Sequence, residues 1–174
     1  MHDEQHMSYF SMRVVVISDT HGNIERIKHV LRFAKEIKAG AIVHCGDWDN
    51  TLAIKTVASF GIPLYGVLGN ADISPQMVDA VREFCEKSDE DFLEFELDGK
   101  KIGVCHFPDR IKDIDKDTEH ERGIIFYGHT HKSKGSWAGK TRLVNPGALA
   151  RTDQPSFVVY DTKLDNVQFI DVKV

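Results

Sequence analysis

Short β-branched strands alternate with amphipathic helices through the first half of the chain, and this alternation constrains the fold more than any other feature of the sequence. Arg13–Ile17 predicts a buried strand, and apolar residues at helical spacing predict a helix over residues 24–38. The pattern repeats as a strand over 41–45, a helix over 52–60 and a strand over 63–68. Because strands that are joined through helices usually pair in parallel, the first half predicts a parallel α/β arrangement.

The pattern changes after a third helix, which is predicted over residues 75–87. Residues 92–97 alternate with period two, and the Asp98-Gly99 turn returns the chain as a hairpin strand over 101–105. A charged helix is predicted over 109–122, followed by strands over 124–127, 141–145, 157–160 and 167–172. We therefore expect a second half dominated by another sheet, and an α/β fold class with two facing mixed β-sheets flanked by helices.

The length and composition fit a single globular domain. The chain has 174 residues, of which 41% are apolar and 28% charged, and both fractions are ordinary for such a protein. We assign residues 12–174 to the domain. Residues 1–11 lack the pattern of a secretory signal, and their repeated Met and polar content indicate a disordered tail or cloning remnant. No apolar run approaches the ~20 residues of a membrane helix.

Charge and cysteine content narrow the partners and the compartment. The formal net charge of −5 argues against long nucleic acids and anionic membranes as partners, because both are bound by clustered Lys and Arg. Cys45, Cys85 and Cys105 form no Cys-x-x-Cys pair, which predicts buried thiols in a reducing, cytoplasmic compartment. The oligomeric state is left open, and a homo-oligomer is compatible with the sequence.

Acid, amide and imidazole side chains follow five of the predicted strands. They are Asp19 and His21 after the first strand, Asp47 after the second, Asn70 after the third, His106 after the hairpin strand, and His129 and His131 after residues 124–127. Open α/β sheets bind ligands at the carboxyl ends of their strands, so these seven side chains are expected to converge. In an extended chain, alternation would also aim His129 and His131 in the same direction.

Each of these residues also has a purely structural explanation. Asp19 could cap the following helix, while Asp47 and Asn70 could occupy turns. His106 could be a satisfied core histidine. Independent turn preferences do not explain why metal-binding groups follow five of the predicted strands, so we interpret the set as a metal site. His44 is left out of the set, because alternation turns it towards the packed interior.

Five short blocks carry a resemblance to a known family. They are Asp19-Thr20-His21-Gly22, Gly46-Asp47, Gly69-Asn70, His106 and Gly128-His129-Thr130-His131, with Asn145-Pro146-Gly147 after them. In this order they resemble the calcineurin-like metallophosphoesterases, and most of all the small bacterial and archaeal phosphodiesterase branch that includes the retromer subunit of the same fold. The resemblance spans nearly the whole chain, from about Arg13 to Val172. It implies a four-layer α/β/β/α sandwich with a binuclear metal centre.

The resemblance also implies a role for each ligand. Asp19, His21 and His131 would hold one metal ion. Asn70, His106 and His129 would hold the other, and Asp47 would bridge the two. Asp47, Asn70 and His106 are also the predicted catalytic residues. The set is rich in imidazole and contains no thiolate, so Mn²⁺ is the expected metal, with Ni²⁺, Fe²⁺ and Zn²⁺ as alternatives.

The function implied by the resemblance is metal-dependent phosphodiester hydrolysis. A hydroxide bridging the two ions would attack small phosphoesters, with cyclic nucleotides among the candidate substrates. A protein-interaction scaffold of the same fold, with weak or vestigial hydrolase activity, is the alternative. A nuclease acting on long polymers would need a basic groove that the charge balance does not suggest.

Two positions depart from the pattern of many relatives. Ala71 stands where a histidine often follows the ligand asparagine, so leaving-group protonation would need Asp72 or water. Phe107 stands beside His106 where glycine is frequent, and it could either stack on a substrate ring or pack into the core. The Asn145-Pro146-Gly147 segment is expected to be a supporting turn. Asp49, Asp72 and Asp109 are expected to be solvated or structural.

Overall fold

Two sheets and four helices are present in the computed structural model, which describes residues 11–114 and 123–173. The elements in chain order are β1 Arg13–Ile17, α1 Ile24–Glu36, β2 Ala41–His44, α2 Thr51–Ala58, β3 Leu64–Val67, α3 Pro75–Phe84, β4 Lys87–Asp89, β5 Phe92–Leu97, β6 Lys100–Cys105, α4 Asp109–Ile114, β7 Ile124–Phe126, β8 Lys134–Ala138, β9 Thr141–Asn145, β10 Ser156–Asp161 and β11 Asn166–Asp171. None of the described helices combines the length and apolar character needed to cross a bilayer.

The first sheet has the strand order β11-β10-β1-β2-β3-β4, and the second has the order β5-β6-β7-β9-β8. Strands β1 to β4 run parallel, as the strand–helix alternation predicts. In the second sheet β6, β7 and β9 run parallel, with β5 and β8 antiparallel at the edges. Both sheets are therefore mixed. Within each sheet, the carboxyl ends of the parallel strands lie on the same side.

Alternating side chains of β1 divide the interior into layers. Val15 and Ile17 pack with the apolar faces of α1, α2 and α3, while Val14 and Val16 point to the opposite face and pack against the second sheet. A smaller cluster containing Ile111 covers the outer face of the second sheet. The expected arrangement of two facing sheets flanked by helices is confirmed.

Several element predictions need correction. Strand β10 pairs antiparallel with β1, and β11 pairs antiparallel with β10, so both extend the first sheet and the second half of the chain does not form only the second sheet. The third helix ends at Phe84 and is followed by β4, which was not predicted, and β8 was also missed. The fourth helix is described only as far as Ile114, so the rest of its predicted range, 115–122, lies outside the described residues, as does nearly all of the predicted tail.

Candidate metal centre

The loops after five strands bring all seven predicted side chains into one cluster. In the first group, Asp19, His21, Asp47 and His131 each present a ligand atom, and these atoms lie within 4.8 Å of one another. His131 Nε2 is 3.2 Å from Asp19 Oδ1, and His21 Nε2 is 3.6 Å from Asp47 Oδ2. Two loops of the first sheet and one of the second therefore contribute to this group.

The second group is built around the side-chain oxygen of Asn70. His106 Nε2 and His129 Nδ1 each lie 3.1 Å from Asn70 Oδ1 and 3.3 Å from each other. Asp47 Oδ1 lies 3.5 Å from His106 Nε2. Since the other oxygen of Asp47 faces His21, its carboxylate stands between the two groups.

The backbone carbonyls around the site determine which imidazole nitrogens are free to bind a cation. Cys45 O lies 2.8 Å from His106 Nδ1, and because a carbonyl can only accept, Nδ1 must donate. Nε2 of a neutral His106 then carries a lone pair directed at the Asn70 and Asp47 oxygens. Arg151 O lies 3.4 Å from His131 Nδ1 and favours the same tautomer there.

Several buried polar atoms at the centre lack a hydrogen-bond partner. Among the described residues, Asp19 Oδ1 and both ring nitrogens of His21 are buried without a hydrogen-bond partner. Burial raises the pKa of the Asp19 carboxyl, and the hydrogen bond from Ser18 only partly offsets this effect. Buried polar atoms without a hydrogen-bond partner are costly, and a cation that binds the free acceptors removes part of that cost. The donor set therefore fits a divalent metal ion that accepts imidazole and carboxylate ligands.

Glycines allow the ligand loops to approach one another closely. A Cβ atom at Gly69 would overlap the Asp47 side chain, and one at Gly128 would overlap Ser18 and lie 2.9 Å from Asp19 Oδ2. Gly69 and Gly128 therefore have no side chain because a neighbouring loop approaches closely, and not because of the conformation of their own turns alone.

The prediction that His129 and His131 share a direction because the chain is extended is wrong. Their φ angles are 69° and 57°, so both residues lie in the left-handed region and not on a strand. His129 instead faces Asn70 and His106, and His131 faces Asp19. The two imidazoles thus belong to different groups of the cluster.

The carboxylate of Asp72 joins two of the ligand loops. The sequence predicts only that this residue is solvated or structural. Asp72 is fully buried and accepts hydrogen bonds of 2.8–3.1 Å from the backbone N–H groups of Gly69, Asp47, Trp48 and Asp49. Its role is therefore structural, and both of its oxygens are occupied. Because the carboxylate is fully buried and is held by four backbone N–H groups, Asp72 is not placed to protonate a leaving group.

Other residues around the site have clear positions. Phe107 is 37% exposed, and its ring centroid lies 4.9 Å from those of His106 and His129, so it borders the site and is not part of the core. His44 is buried and stacks on Trp48, which agrees with its exclusion from the ligand set. The side-chain amide of Asn145 donates to Gly128 O and Thr130 Oγ1, and it thereby supports the loop that carries His129 and His131.

Three polar residues beside the ligands are not predicted by the sequence to be part of the site. Ser18 Oγ donates to Asp19 Oδ2 at 2.6 Å. Asp49 Oδ1 lies 3.6 Å from His21 Nδ1, and Arg151 Nη2 lies 3.5 Å from the same oxygen. In the sequence, only the position of Ser18 and Asp49 within two residues of a predicted ligand indicates that they lie at the site. No feature of the sequence indicates this for Arg151.

Comparison with known proteins agrees with this geometry. The family model for the calcineurin-like phosphoesterase superfamily domain matches residues 12–165. Phosphodiesterase MJ0936 of Methanocaldococcus jannaschii is 22% identical over 158 residues, which cover 87% of this chain and 94% of that protein.

Solved structures share the fold at low sequence identity. An archaeal phosphodiesterase superposes with a TM-score of 0.81 at 22% identity, covering 92% of this chain and all of the other. YfcE, a phosphoesterase from E. coli, gives 0.66 at 17% identity, with coverages of 93% and 100%. Vacuolar protein sorting 29 from Cryptosporidium parvum gives 0.64 at 16% identity, with coverages of 95% and 98%.

Proposed function

The chain belongs to the calcineurin-like phosphoesterase superfamily, and we propose that it is a metal-dependent phosphodiesterase that hydrolyses small phosphoesters at a two-metal centre. The observation that carries the proposal is the position of Asp47. Its two oxygens face two separate groups of ligand atoms, at 3.6 Å from His21 Nε2 and 3.5 Å from His106 Nε2. A carboxylate in this position suits a bridging ligand, and seven donors exceed what one small cation can accept.

Each group would hold one ion. Asp19, His21 and His131 would hold the first. Asn70, His106 and His129 would hold the second, with Asp47 shared. Carboxylate, amide and imidazole donors without thiolate suit Mn²⁺, with Ni²⁺, Fe²⁺ and Zn²⁺ as alternatives.

When bound, two divalent ions would acidify a water molecule and neutralise charge on the transferring phosphoryl group. The protein holds the ligands in place for this chemistry. Ser18 and the His129 backbone N–H both donate to Asp19 Oδ2, which leaves Oδ1 directed into the site. The Ala71 backbone N–H donates to Asp47 Oδ1 at 2.9 Å and orients the shared carboxylate. Such fixed orientation reduces the reorganisation needed during the reaction.

The proposed substrates are small phosphodiesters, with cyclic nucleotides among the candidates, and not long nucleic acids or membranes. The net charge of −5 supports this choice, because extended polyanions are bound by basic surfaces. The scaffold alternative is less favoured, since a protein-interaction scaffold does not require buried, unpartnered metal-binding atoms such as those of Asp19 and His21. We also propose that the protein acts in the cytoplasm, either as a monomer or as a homo-oligomer.

Metal analysis combined with a hydrolysis assay tests the proposal. Purified protein should contain close to two transition-metal ions per chain and should hydrolyse bis(p-nitrophenyl) phosphate faster when manganese is added. Asp47→Asn, which keeps the shape of the side chain, should lower kcat by at least about 10²-fold and reduce the bound metal. Folding of the variant is checked by circular dichroism. Absence of bound metal and of metal-stimulated turnover in the wild type would contradict the proposal.

A further inference from the structure

An ion pair lies against the ligand cluster but outside it. Asp49 Oδ1 is 3.5 Å from Arg151 Nη2 and 3.6 Å from His21 Nδ1. One carboxylate oxygen thus lies next to both a guanidinium group and a predicted metal ligand. None of the seven proposed ligand positions includes either member of the pair.

The same loops that carry the ligands hold the pair in place. The Asp49 backbone N–H donates to Asp72 Oδ1 at 2.9 Å. The segment before Arg151 is bound to the loop that follows β1, by hydrogen bonds from Leu149 N to Ser18 O and from Ala150 N to Asp19 O. The Arg151 carbonyl itself faces His131 Nδ1 at 3.4 Å.

Backbone conformation also associates the pair with the site. Asp49 and Arg151 adopt φ angles of 78° and 55°, which are uncommon for residues with a side chain. Five of the proposed metal ligands share this left-handed conformation: Asp19, His21, Asp47, His129 and His131. Strained conformations of this kind persist where the surrounding structure imposes them, and they concentrate at functional sites.

The pair is more exposed to solvent than the ligand that it contacts. The side chains of Asp49 and Arg151 are 38% and 60% exposed, whereas that of His21 is 4% exposed. An anion approaching the ligand cluster from this side would therefore meet the pair before the ligands.

We propose that Asp49 and Arg151 act together as a charge filter, in which Asp49 removes the preference that an unpaired Arg151 would give the site for doubly charged phosphomonoesters over singly charged phosphodiesters. This inference rests on the proposed function. An unpaired guanidinium at this position would favour the substrate with the larger negative charge, since the Coulomb energy scales with charge. Asp49 cancels that attraction and removes the advantage of the monoester, which carries close to two negative charges above its second pKa of about 6.

The filter predicts opposite effects for its two members. Asp49→Asn leaves the Arg151 charge unpaired and should raise the kcat/KM of p-nitrophenyl phosphate relative to bis(p-nitrophenyl) phosphate by about fivefold, as expected for one charge a few ångströms away in a partly hydrated site. Arg151→Gln leaves the Asp49 charge unpaired and should lower the same ratio by about fivefold. The double variant should return to within about twofold of the wild type, because its charges again cancel.

A binding measurement gives a readout that does not depend on turnover. Calorimetric titration of manganese-loaded protein with inorganic phosphate at pH 8 should show tighter binding in Asp49→Asn and weaker binding in Arg151→Gln. Bound manganese is measured for each variant, so that a loss of metal is recognised. Arg82→Gln and Glu90→Gln are matched controls, because Arg82 and Glu90 form an exposed ion pair outside the ligand cluster, at 63% and 60% exposure; both should leave the ratio unchanged.

The outcomes separate this inference from the proposed function. If the wild type hydrolyses the diester with manganese but both variants change the two substrates by the same factor, the pair is only structural and the inference is overturned. Equal loss of metal and of both activities in Asp49→Asn would also overturn it, since Asp49 would then act only through His21. If the wild type neither binds metal nor turns over either ester, the proposed function fails, and the inference fails with it.

Discussion

At the residue scale, the position after Asn70 limits proton transfer at the site. Ala71 contributes only its backbone N–H, which donates to Asp47 Oδ1 at 2.9 Å. The next side chain, Asp72, is fully buried, and four backbone N–H groups occupy its carboxylate. Neither residue can therefore give a proton to a departing alkoxide. Water is left to supply this proton.

This geometry predicts that the rate depends on the acidity of the leaving group. Wild-type kcat/KM should fall steeply along a series of aryl methyl phosphodiesters as the leaving phenol becomes less acidic. Ala71→His should introduce a proton donor and raise kcat/KM for the poorest leaving groups by about 10²-fold, while changing p-nitrophenyl esters little. Ala71→Gln is the control, because it adds volume without an acid. A wild-type rate that is indifferent to leaving-group acidity would refute the prediction.

At the element scale, Asp72 joins the loops that follow β2 and β3. Its carboxylate binds backbone N–H groups of Asp47, Trp48 and Asp49 from one loop and that of Gly69 from the other. These loops carry the ligands Asp47 and Asn70. Because a carboxylate oxygen can only accept, it matches these donors, whereas an amide NH₂ group would oppose one of them.

Asp72→Asn should therefore lower the free energy of unfolding of the metal-free protein by about 1–3 kcal/mol, because at least one buried N–H loses its acceptor. Manganese affinity should fall as well, since the two loops are less firmly positioned. Urea denaturation and calorimetric metal titration measure these effects, and Asp109→Asn on the exposed side of α4 is the control. Unchanged stability and unchanged metal affinity would show that the contacts of Asp72 do not hold the loops.

The elements also differ in how well sequence predicts them. Strand β1 and helix α1 have buried apolar faces with a clear period, and they were predicted to within two residues. Strand β8 has the sequence KGSWA, lies at the edge of the second sheet and has no buried residue. Backbone hydrogen bonds to β9 define β8 as a strand. Because β8 has no pattern of apolar residues, its sequence does not predict this pairing.

At the scale of the whole molecule, the candidate metal centre spans both sheets. Asp19, His21, Asp47 and Asn70 follow strands of the first sheet, whereas His106, His129 and His131 follow strands of the second. A metal ion bound by both sets would connect the two halves of the molecule. Binding would then favour the folded state, because the unfolded chain does not bring these residues together.

Metal binding should therefore stabilise the whole protein. Free manganese at about 100 times its dissociation constant should add about 2.7 kcal/mol for each site, which a thermal unfolding scan detects as a higher Tm. A chelator should reverse the shift, and Asp47→Asn should reduce it. If the Tm of wild-type protein is the same with manganese and with chelator, the centre does not bind the ion under these conditions.

The sequence by itself determined the alternation of strands and helices, the facing sheets and the polar residues that follow five strands. These features depend on local hydrophobic periodicity and on residues a few positions apart, so they are present in the order of the residues. The tertiary structure decided that β10 and β11 join the first sheet, that His129 and His131 face different groups, and that Arg151 pairs with Asp49. Such contacts join residues far apart in the chain, as between Asp19 and His129, which are 110 positions apart. They depend on how the completed layers pack, and no local pattern encodes that packing.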